Sequence, residues 1–494
     1  MRALSALLGA VFLSILGCNR SHQTEGERLA RKDCAVCHAF PEPQLLSKAT
    51  WKSGVLPQMA PRLGVSTKSL YDATFRSPYM TVLPRGVSEA DWAKIVAYYL
   101  EQAPDTLPPQ SLPAEPQLDP PFFKIGPFAP RLHSSGIITL LKTDPAHERI
   151  FVGEAGTNLL RTFDFNRRLI ATQKLGSPPT DVIVDSGRIL LLESGILDPD
   201  DEPKGSLIES NGRILIDSLF RPVFVRELGP NEFLICEYGD NRGRLALYRL
   251  TGSKYTRQVL DDTPGAIRFE VSDLTGDGQP DIVALFAQGD ERIVLFANDG
   301  HGKYATPGRV LARFPPVYGS MYFALHDFTG DGHPDIVYVN GDNFDYSRVL
   351  KPYHGVRILE NDGHNHFVER YFFPVYGAAR AEVADFDGDG DLDILTTSNF
   401  ADAGRHPERS IVFLENVGGY VFKPYAFSIA SENQWNLIAS ADLNHDGLPD
   451  AIVGAMHLEN IARAQRFSGQ GPEVGQDPLL LFESSREGRV LKHR

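Results

Sequence analysis

Cysteine is scarce in this chain, and its scarcity narrows the possible architectures. Only four cysteines occur among 494 residues, at positions 18, 34, 37 and 236. Four thiols are too few for a disulfide framework at this length. The sequence therefore predicts a fold that depends on an apolar core, which a hydrophobic content of 42% can supply.

Positive charge is also in short supply. Lysine and arginine total 49 against 63 aspartates and glutamates, which gives a formal net charge of -14. Because binding to nucleic-acid phosphates needs a basic face, we exclude nucleic acid as a partner. The acidic surplus suits a soluble protein or one that binds cations.

Catalytic patterns are missing from the sequence as well. We recognise no Ser-His-Asp set, no paired-carboxylate site and no phosphate-binding loop, and the histidines are scattered. The sequence therefore contains no pattern that favours a catalyst.

One long apolar run is present, at the N-terminus. A single arginine precedes segment 3–17, which has the length of a signal-peptide core and is too short to span a bilayer comfortably. The four residues that end in Cys18, Ile-Leu-Gly-Cys, resemble the bacterial lipobox. The resemblance implies removal of residues 1–17, acylation of Cys18, and a periplasmic or cell-surface lipoprotein. Plain secretion with cleavage nearby is the alternative.

A haem-attachment motif follows the export signal. Cys34, Cys37 and His38 form a C-x-x-C-H sequence, in which two thiols can add to the haem vinyl groups and the histidine can bind the iron. A thioredoxin-like motif would need a βαβ context, and a zinc site would need a second pair of ligands. Neither is found in the sequence, so we predict one covalent haem c.

A helix is predicted at the end of this region. Segment 88–103 begins with the N-cap Ser88, and its apolar residues recur at helical spacing. The C-x-x-C-H motif and this aromatic helix resemble a small class I cytochrome c, in which the last helix crosses the first. The resemblance covers about 70 residues and predicts an all-α cytochrome domain over 18–103.

Cytochromes of this kind usually have methionine as the second axial ligand. Met59 lies in a segment that resembles the methionine-containing segment of short bacterial cytochromes. Met80 lies shortly before the last predicted helix, as the methionine loop does in longer cytochromes c. We favour Met59 and keep Met80 as the alternative.

Proline marks the next boundary. Residues 104–130 contain nine prolines, which favour an extended, semi-rigid spacer. We predict a linker there, and segment 122–125 could already belong to the following domain.

Four internal repeats occur in the second half of the chain. The pattern D-x-[DTN]-x-D-G-x-x-D begins at Asp273, Asp327, Asp385 and Asp442, at intervals of 54, 58 and 57 residues. Each copy runs into an apolar, β-branched segment. Oxygen side chains at positions 1, 3, 5 and 9 can converge on a calcium ion, and glycine at position 6 permits the sharp turn. An EF-hand would need glutamate at position 12 and flanking helices, which these loops lack.

The loops resemble those of FG-GAP (VCBS-type) repeats, as in the integrin α propeller. The resemblance implies up to four calcium ions, with a backbone carbonyl contributed by position 7. The third loop has the most carboxylates, so we expect it to bind most tightly. Asx-type turns without metal are the alternative. The implied ligands are Asp273, Thr275, Asp277, Asp281; Asp327, Thr329, Asp331, Asp335; Asp385, Asp387, Asp389, Asp393; and Asp442, Asn444, Asp446, Asp450.

The repeat length suits one blade of a β-propeller. Segments 149–165, 181–194 and 222–250 read as further groups of strands. With the four calcium repeats they predict an all-β propeller of seven blades over 131–494, with six or eight as alternatives. We expect the strand within 477–484 to close the ring with a strand from the N-terminal side.

The whole chain resembles bacterial FG-GAP/VCBS repeat proteins with an N-terminal cytochrome c domain. We expect an exported electron-transfer protein whose propeller docks a periplasmic or surface redox partner. A redox enzyme with its active site in the propeller and a surface adhesion module are the alternatives. Arg268 and Arg380, five residues before their loops, could bind an anion or form salt bridges between blades.

Overall fold

The computed structural model describes residues 23–65, 82, 86–129, 132, 134–185, 187–343, 347–457 and 477–486. Its N-terminal part is helical, and the rest forms seven antiparallel sheets. Cys18 and Met80 lie outside the described residues. No helix in the described ranges has the length and apolarity needed to cross a membrane.

Four helices form the N-terminal part of the described chain, which we call the helical unit. Thr24 caps the first helix through its side chain, and Ser88 caps the last one in the same way. Residues 51–55 form a π-helical stretch that links the second helix to the third. The bounds are α1 Glu25–Cys34, α2 Lys48–Thr50, α3 Leu56–Arg62 and α4 Glu89–Gln102. Short 3-10 turns cover Pro43–Leu45, Pro145–His147, Pro407–Ser410 and Ser428–Glu432.

The first and last helices cross closely, which the resemblance to cytochrome c implies, although a crossing alone does not show a cytochrome domain. Gly26 on α1 sits against α4: a Cβ at that position would lie 2.5 Å from the Lys94 carbonyl oxygen and 2.9 Å from the Tyr98 Cβ. Only glycine permits this approach. Ile95 and Tyr99 of α4 are buried in the same core.

Seven blades follow. Blades 1 to 6 each contain four consecutive strands, and blade 7 contains three consecutive strands and one from the N-terminal side. Blades 1 to 3 are β3 Ile138–Asp144, β4 Arg149–Glu154, β5 Leu159–Asp164, β6 Leu169–Lys174; β7 Pro179–Asp185, β8 Arg188–Glu193, β9 Gly205–Glu209, β10 Ile214–Leu219; and β11 Pro222–Gly229, β12 Glu232–Glu237, β13 Arg244–Thr251, β14 Lys254–Asp261. Cys236 is buried on β12.

Blades 4 to 7 carry the calcium-type loops. Their strands are β15 Ala266–Ser272, β16 Asp281–Phe286, β17 Arg292–Phe296, β18 Arg309–Arg313; β19 Ser320–His326, β20 Asp335–Asn340, β21 Gly355–Asn361, β22 Phe367–Pro374; β23 Ala378–Ala384, β24 Asp393–Ser398, β25 Ile411–Asn416, β26 Phe422–Ala426; and β27 Trp435–Ala441, β28 Asp450–Ala455, β29 Leu479–Ser484. The prediction of a seven-bladed propeller is confirmed.

The ring is closed by chain from the predicted linker. Strand β2, Phe123–Pro127, pairs antiparallel with β29 and completes blade 7, as expected from the sequence. Strand β1, Gln117–Leu118, adds to blade 6 in parallel with β26. Phe123 packs its ring against Phe413 and Phe482 in the core between these blades. Burial of such a side chain contributes about 1.5–3 kcal/mol, so the linker segment helps to hold the ring shut.

The two faces of the propeller are occupied differently. The first strand of every blade contacts the first strands of both neighbouring blades, so these strands line the centre. Turns from first to second strands, including all four calcium-type loops, share one face, which we call the loop face. Links between blades and turns from second to third strands share the opposite face. Val317 lies in the link between blades 4 and 5, and Val349 and Tyr353 lie in the turn from β20 to β21. All three residues belong to the core of the helical unit. The helical unit therefore packs opposite the loop face.

Candidate metal centres

In each calcium-type loop, the aspartate at position 1 gathers backbone N–H groups. Asp273 Oδ1 accepts from Gly276 at 2.8 Å and from Asp277 at 3.1 Å, and its Oδ2 accepts from Gly278 at 2.8 Å. The position-6 N–H makes the same bond to Asp327, Asp385 and Asp442 at 2.8–3.0 Å. One carboxylate thus shapes each turn.

The aspartate at position 9 is buried and joins the loop to the third strand. Asp281 Oδ2 accepts from the N–H groups of Leu274 and Thr275 at 3.0 Å, and its Oδ1 accepts from the Asn298 N–H at 2.8 Å. Its exposed fraction is 0%. Asp335, Asp393 and Asp450 repeat both kinds of contact. We call this contact set the position-9 latch.

Sequence reasoning missed the partners of this latch. They are the residues that end the third strand, Asn298, Asn361, Asn416 and Ser484. Each asparagine also donates its side-chain amide to the carbonyl of the residue before position 9, at 3.0–3.2 Å. A signal was present, because an N-x-G sequence recurs at these three asparagines.

Glycine at positions 4 and 6 gives the loops their left-handed backbone. At position 6 the φ angles are 83°, 85°, 97° and 85° for Gly278, Gly332, Gly390 and Gly447. Position 4 is also left-handed, and in the fourth loop it is His445, with φ of 60°. A side chain with a Cβ in this region costs about 1–2 kcal/mol. The positive φ explains the glycine at position 6 that the sequence motif contains.

The third loop fits a calcium ion best. Asp385, Asp387 and Asp393 each offer an oxygen within 4.8 Å of the others, the only such cluster among the described residues. Asp385 Oδ1 is buried and accepts no hydrogen bond within the described chain. Burial and the nearby carboxylates, Asp387 first and Asp389 next, raise the pKa of Asp393 to about 8. A hard cation with oxygen ligands would neutralise this cluster.

The other three loops hold fewer converging oxygens. Burial raises the pKa of Asp450 to about 6 and also raises that of Asp335. The Thr329 hydroxyl donates to Asp327 Oδ1 at 3.2 Å, so the loop already satisfies one candidate ligand internally. Oxygen side chains are nevertheless present at positions 1, 3, 5 and 9 of every loop.

The haem motif lies at the end of α1. Cys34 and Cys37 are free thiols, Cys34 partly buried and Cys37 exposed. His38 Nδ1 donates to the Ala39 carbonyl at 2.9 Å. That bond fixes the tautomer, because it leaves the Nε2 lone pair available to a metal. Burial lowers the pKa of His38, which favours the neutral, ligating imidazole.

The surroundings of His38 include both the helical unit and blade 4. Three charged residues lie near enough to affect its pKa: Asp290 in the turn between β16 and β17, Arg313 at the end of β18, and Arg62 at the end of α3. Met59 is half-buried on the same α3 helix. Cys34, Cys37 and His38 would therefore hold a covalent haem. Met59 is on α3, whose last residue, Arg62, is close enough to His38 to affect its pKa.

Packing holds the helical unit against the propeller. The Tyr353 hydroxyl donates to the Leu45 carbonyl at 3.0 Å. The rings of Trp51 and Tyr99 pack in the core beside it with their centres 4.5 Å apart and tilted by 52°. The Trp51 Nε1 donates to the Pro43 carbonyl, and the Tyr99 hydroxyl donates to the Pro41 carbonyl. The core is thus shared between helices and blade links.

Comparison with known proteins identifies the repeats. Residues 273–338 match the model of the FG-GAP-like repeat. This stretch contains the first two calcium-type loops. A search of curated proteins finds no match.

Three solved structures resemble the chain at low identity. A chain from the Saccharomyces cerevisiae structure of Dbp5 bound to Nup159, Gle1, IP6 and ADP is 11% identical, with a TM-score of 0.42 over 76% of this chain and 99% of that chain. Sqt1 from Saccharomyces cerevisiae is 9% identical, with a TM-score of 0.41 over 67% and 82%. BamB from Moraxella catarrhalis is 9% identical, with a TM-score of 0.37 over 70% and 84%. The seven-bladed assignment therefore depends on the chain's own strand order.

Proposed function

We propose that the protein is an exported haem c electron carrier, in which an FG-GAP propeller stabilised by calcium docks a redox partner. The observation that carries the haem assignment is the hydrogen bond from His38 Nδ1 to Ala39, which leaves Nε2 for iron beside two free thiols. Bound haem would supply one-electron chemistry. The chain's own residues would attach it, orient it and limit its contact with solvent.

The shared core supports a role for the propeller in presenting the haem. Val317, Val349 and Tyr353 pack into the helical unit, so the C-x-x-C-H motif has a defined position relative to blades 4 and 5. A partner that binds this face would meet the helices and the blade links together. The propeller of this chain thus fits a docking role better than a catalytic one, since we find no catalytic pattern in its sequence.

The decisive experiment is spectroscopic. We would express the full chain with the cytochrome c maturation system and record reduced spectra with and without carbon monoxide. If carbon monoxide leaves the spectrum of a covalent haem unchanged, the iron is six-coordinate and electron transfer is supported. Ready binding of carbon monoxide would instead favour catalysis or gas sensing, and absence of covalent haem would refute the proposal.

Two methionine variants test the second axial ligand. We expect Met59→Leu to open the iron to carbon monoxide, while Met80→Leu leaves the spectrum unchanged. The reverse result would transfer the role to Met80. If neither variant binds carbon monoxide, both assignments are wrong.

Export and lipidation are tested separately. We propose acylation of Cys18 in a periplasmic or cell-surface lipoprotein. Metabolic labelling with a fatty acid should mark the wild-type protein and not the Cys18→Ser variant. Equal labelling of both would refute acylation at Cys18 without affecting the haem proposal.

A further inference from the structure

The inner strands of all seven blades share an irregularity. Each contains a register shift after its first paired residue, which is a β-bulge. Bulges redirect the side chains that follow them. The residue after each bulge occupies an equivalent position around the centre, and we call these seven positions the channel ring. They are Leu140, Asp181, Phe224, Arg268, Tyr322, Arg380 and Leu437.

Contacts between neighbouring blades show that four of these seven residues lie at one level. The Arg268 guanidinium lies 4.6 Å from the centre of the Tyr322 ring and 5.1 Å from that of Phe224. The Arg380 guanidinium lies 4.7 Å from the same Tyr322 ring. Two arginines on either side of blade 5 therefore stack on one tyrosine at the centre of the propeller.

The two arginines differ in their partners. Arg268 forms an ion pair with Glu270 at 2.5 Å, and its Nε donates to the Phe323 carbonyl at 3.1 Å. Arg380 forms no side-chain hydrogen bond or ion pair with any described residue, and its buried Nε has no acceptor. Burial lowers the pKa of Arg380, as expected for a charge that the fold does not neutralise.

The carboxylates nearest in the channel are already engaged. Glu382, two residues beyond Arg380, accepts from the Ser440 hydroxyl at 2.7 Å. Asp181 accepts from Lys142 Nζ at 2.8 Å and from the Val225 N–H at 3.0 Å. Neither carboxylate forms an ion pair with Arg380, so the donors of its guanidinium remain available to an acceptor from outside.

Charge in this part of the channel favours a single negative charge. The ring and the next inward-facing positions carry four cationic and three anionic side chains, in a chain whose net charge is -14. These are Lys142, Arg226, Arg268 and Arg380, and Asp181, Glu270 and Glu382. A monoanion matches this excess, whereas a dianion such as phosphate would meet repulsion from Glu270 and Glu382. The planar fork of a guanidinium also matches a carboxylate in a bidentate arrangement.

A cavity opens toward the loop face beside the inner strands of blades 1 to 3. It has a volume of about 700 Å³ and is lined by residues of blades 1 to 3, including Lys142 and Arg226. These two residues are two positions beyond the ring on β3 and β11. The cavity therefore begins on the loop-face side of the channel ring, and no ring residue is part of its lining.

We propose that the channel ring binds a small organic carboxylate, whose oxygens accept from the free guanidinium of Arg380. Tyr322 and the paired Arg268 shape the site, and the cavity beside Lys142 and Arg226 admits the ligand. This site is independent of the haem and of the calcium-type loops.

Acetate is the probe for the test. We would measure its binding to the full chain by saturation-transfer NMR and isothermal titration at constant ionic strength. We expect one acetate per chain, and phosphate at least about tenfold weaker. The Arg380→Met variant should lose acetate binding by about tenfold or more. Its melting temperature without acetate should be equal or higher, because an uncompensated buried charge is removed.

A matched variant controls for net charge. Arg249→Met removes one positive charge from an arginine that is paired with Glu232, so acetate binding should not change. If Arg380→Met fails to fold, Arg380→Lys decides, since lysine keeps the charge but loses the fork and should weaken binding severalfold. The proposal is overturned if wild type does not bind acetate, or if the folded Arg380 variant binds it as wild type does.

Discussion

The position-9 latch predicts a separation between structural and calcium-binding aspartates within one loop. Asp281 accepts three backbone N–H groups while fully buried. Asparagine has the same shape but only one accepting oxygen. If that oxygen faces Leu274 and Thr275, the amide nitrogen must face the Asn298 N–H, and two donors then oppose each other.

The size of the effect follows from these contacts. Hydrogen bonds to a charged acceptor contribute about 1.5–3 kcal/mol each, and an unsatisfied buried donor costs about 1–3 kcal/mol. The hydrogen bond from the Asn298 N–H is lost, and this buried donor is left unsatisfied. The hydrogen bonds from Leu274 and Thr275 then have a neutral acceptor in place of a charged one. We therefore expect Asp281→Asn to lower the free energy of unfolding by about 4–6 kcal/mol. This loss should occur with chelator present, because none of these contacts involves a metal.

Asp277→Asn is the matched control in the same loop. Asp277 is exposed and accepts only the Gln279 N–H, at 2.8 Å. Its replacement should have little effect in EDTA but should reduce the stabilisation by calcium. Calorimetric melting of both variants in EDTA and in calcium gives the comparison. If Asp281→Asn melts like wild type in EDTA and differs only in calcium, the aspartate is a ligand alone and the latch is refuted.

Three further predictions follow from the loops and the helical unit. Because the pKa of Asp393 without metal is raised to about 8, calcium must displace a proton from this carboxyl below that pH. The calcium affinity of the third loop should therefore rise about tenfold from pH 6 to 7 and level off above pH 8, as measured by calcium titration. Gly390→Ala should cost about 1–2 kcal/mol by denaturation in EDTA, since φ is 97°, whereas Gly126→Ala in strand β2 should not destabilise. Gly26→Val should disrupt the helix crossing against the Lys94 carbonyl, lowering helical circular dichroism while the propeller still melts at its usual temperature.

Periodic features of this fold could be predicted from sequence. Four loops at intervals of 54 to 58 residues predicted four blades, and the strand groups upstream predicted three more. The repeat is visible because each blade needs the same turn, and that turn restricts the residues at fixed positions. The capped helix from Ser88 was predictable for a similar reason, since caps and apolar spacing are local signals.

Features that depend on distant parts of the chain could not be predicted. Arg268 and Arg380 occupy identical positions in their repeats, yet one has an ion pair and the other has none. The difference arises because residue 270 is close to Arg268 in space, whereas Glu382 bonds to Ser440 of the next blade. Likewise, the latch joins each position-9 aspartate to a residue that lies 17 to 34 positions later in the chain. Because this spacing varies between blades, the pairing cannot be recognised in the sequence.

The placement of the two kinds of candidate metal centre, the haem motif and the calcium-type loops, leads to a last prediction. The helical unit and the calcium-type loops lie at opposite ends of the blade strands, which have about six residues and therefore a length of about 20 Å. No loop residue belongs to the core around Trp51 and Tyr99. Chelation should then lower the melting temperature of the propeller, since repelling carboxylates lose their cation, but should leave the reduced haem spectrum unchanged. A spectral shift on chelation, before any unfolding, would show instead that the strands couple the two ends, and the loops would then regulate the haem rather than only stabilise the fold.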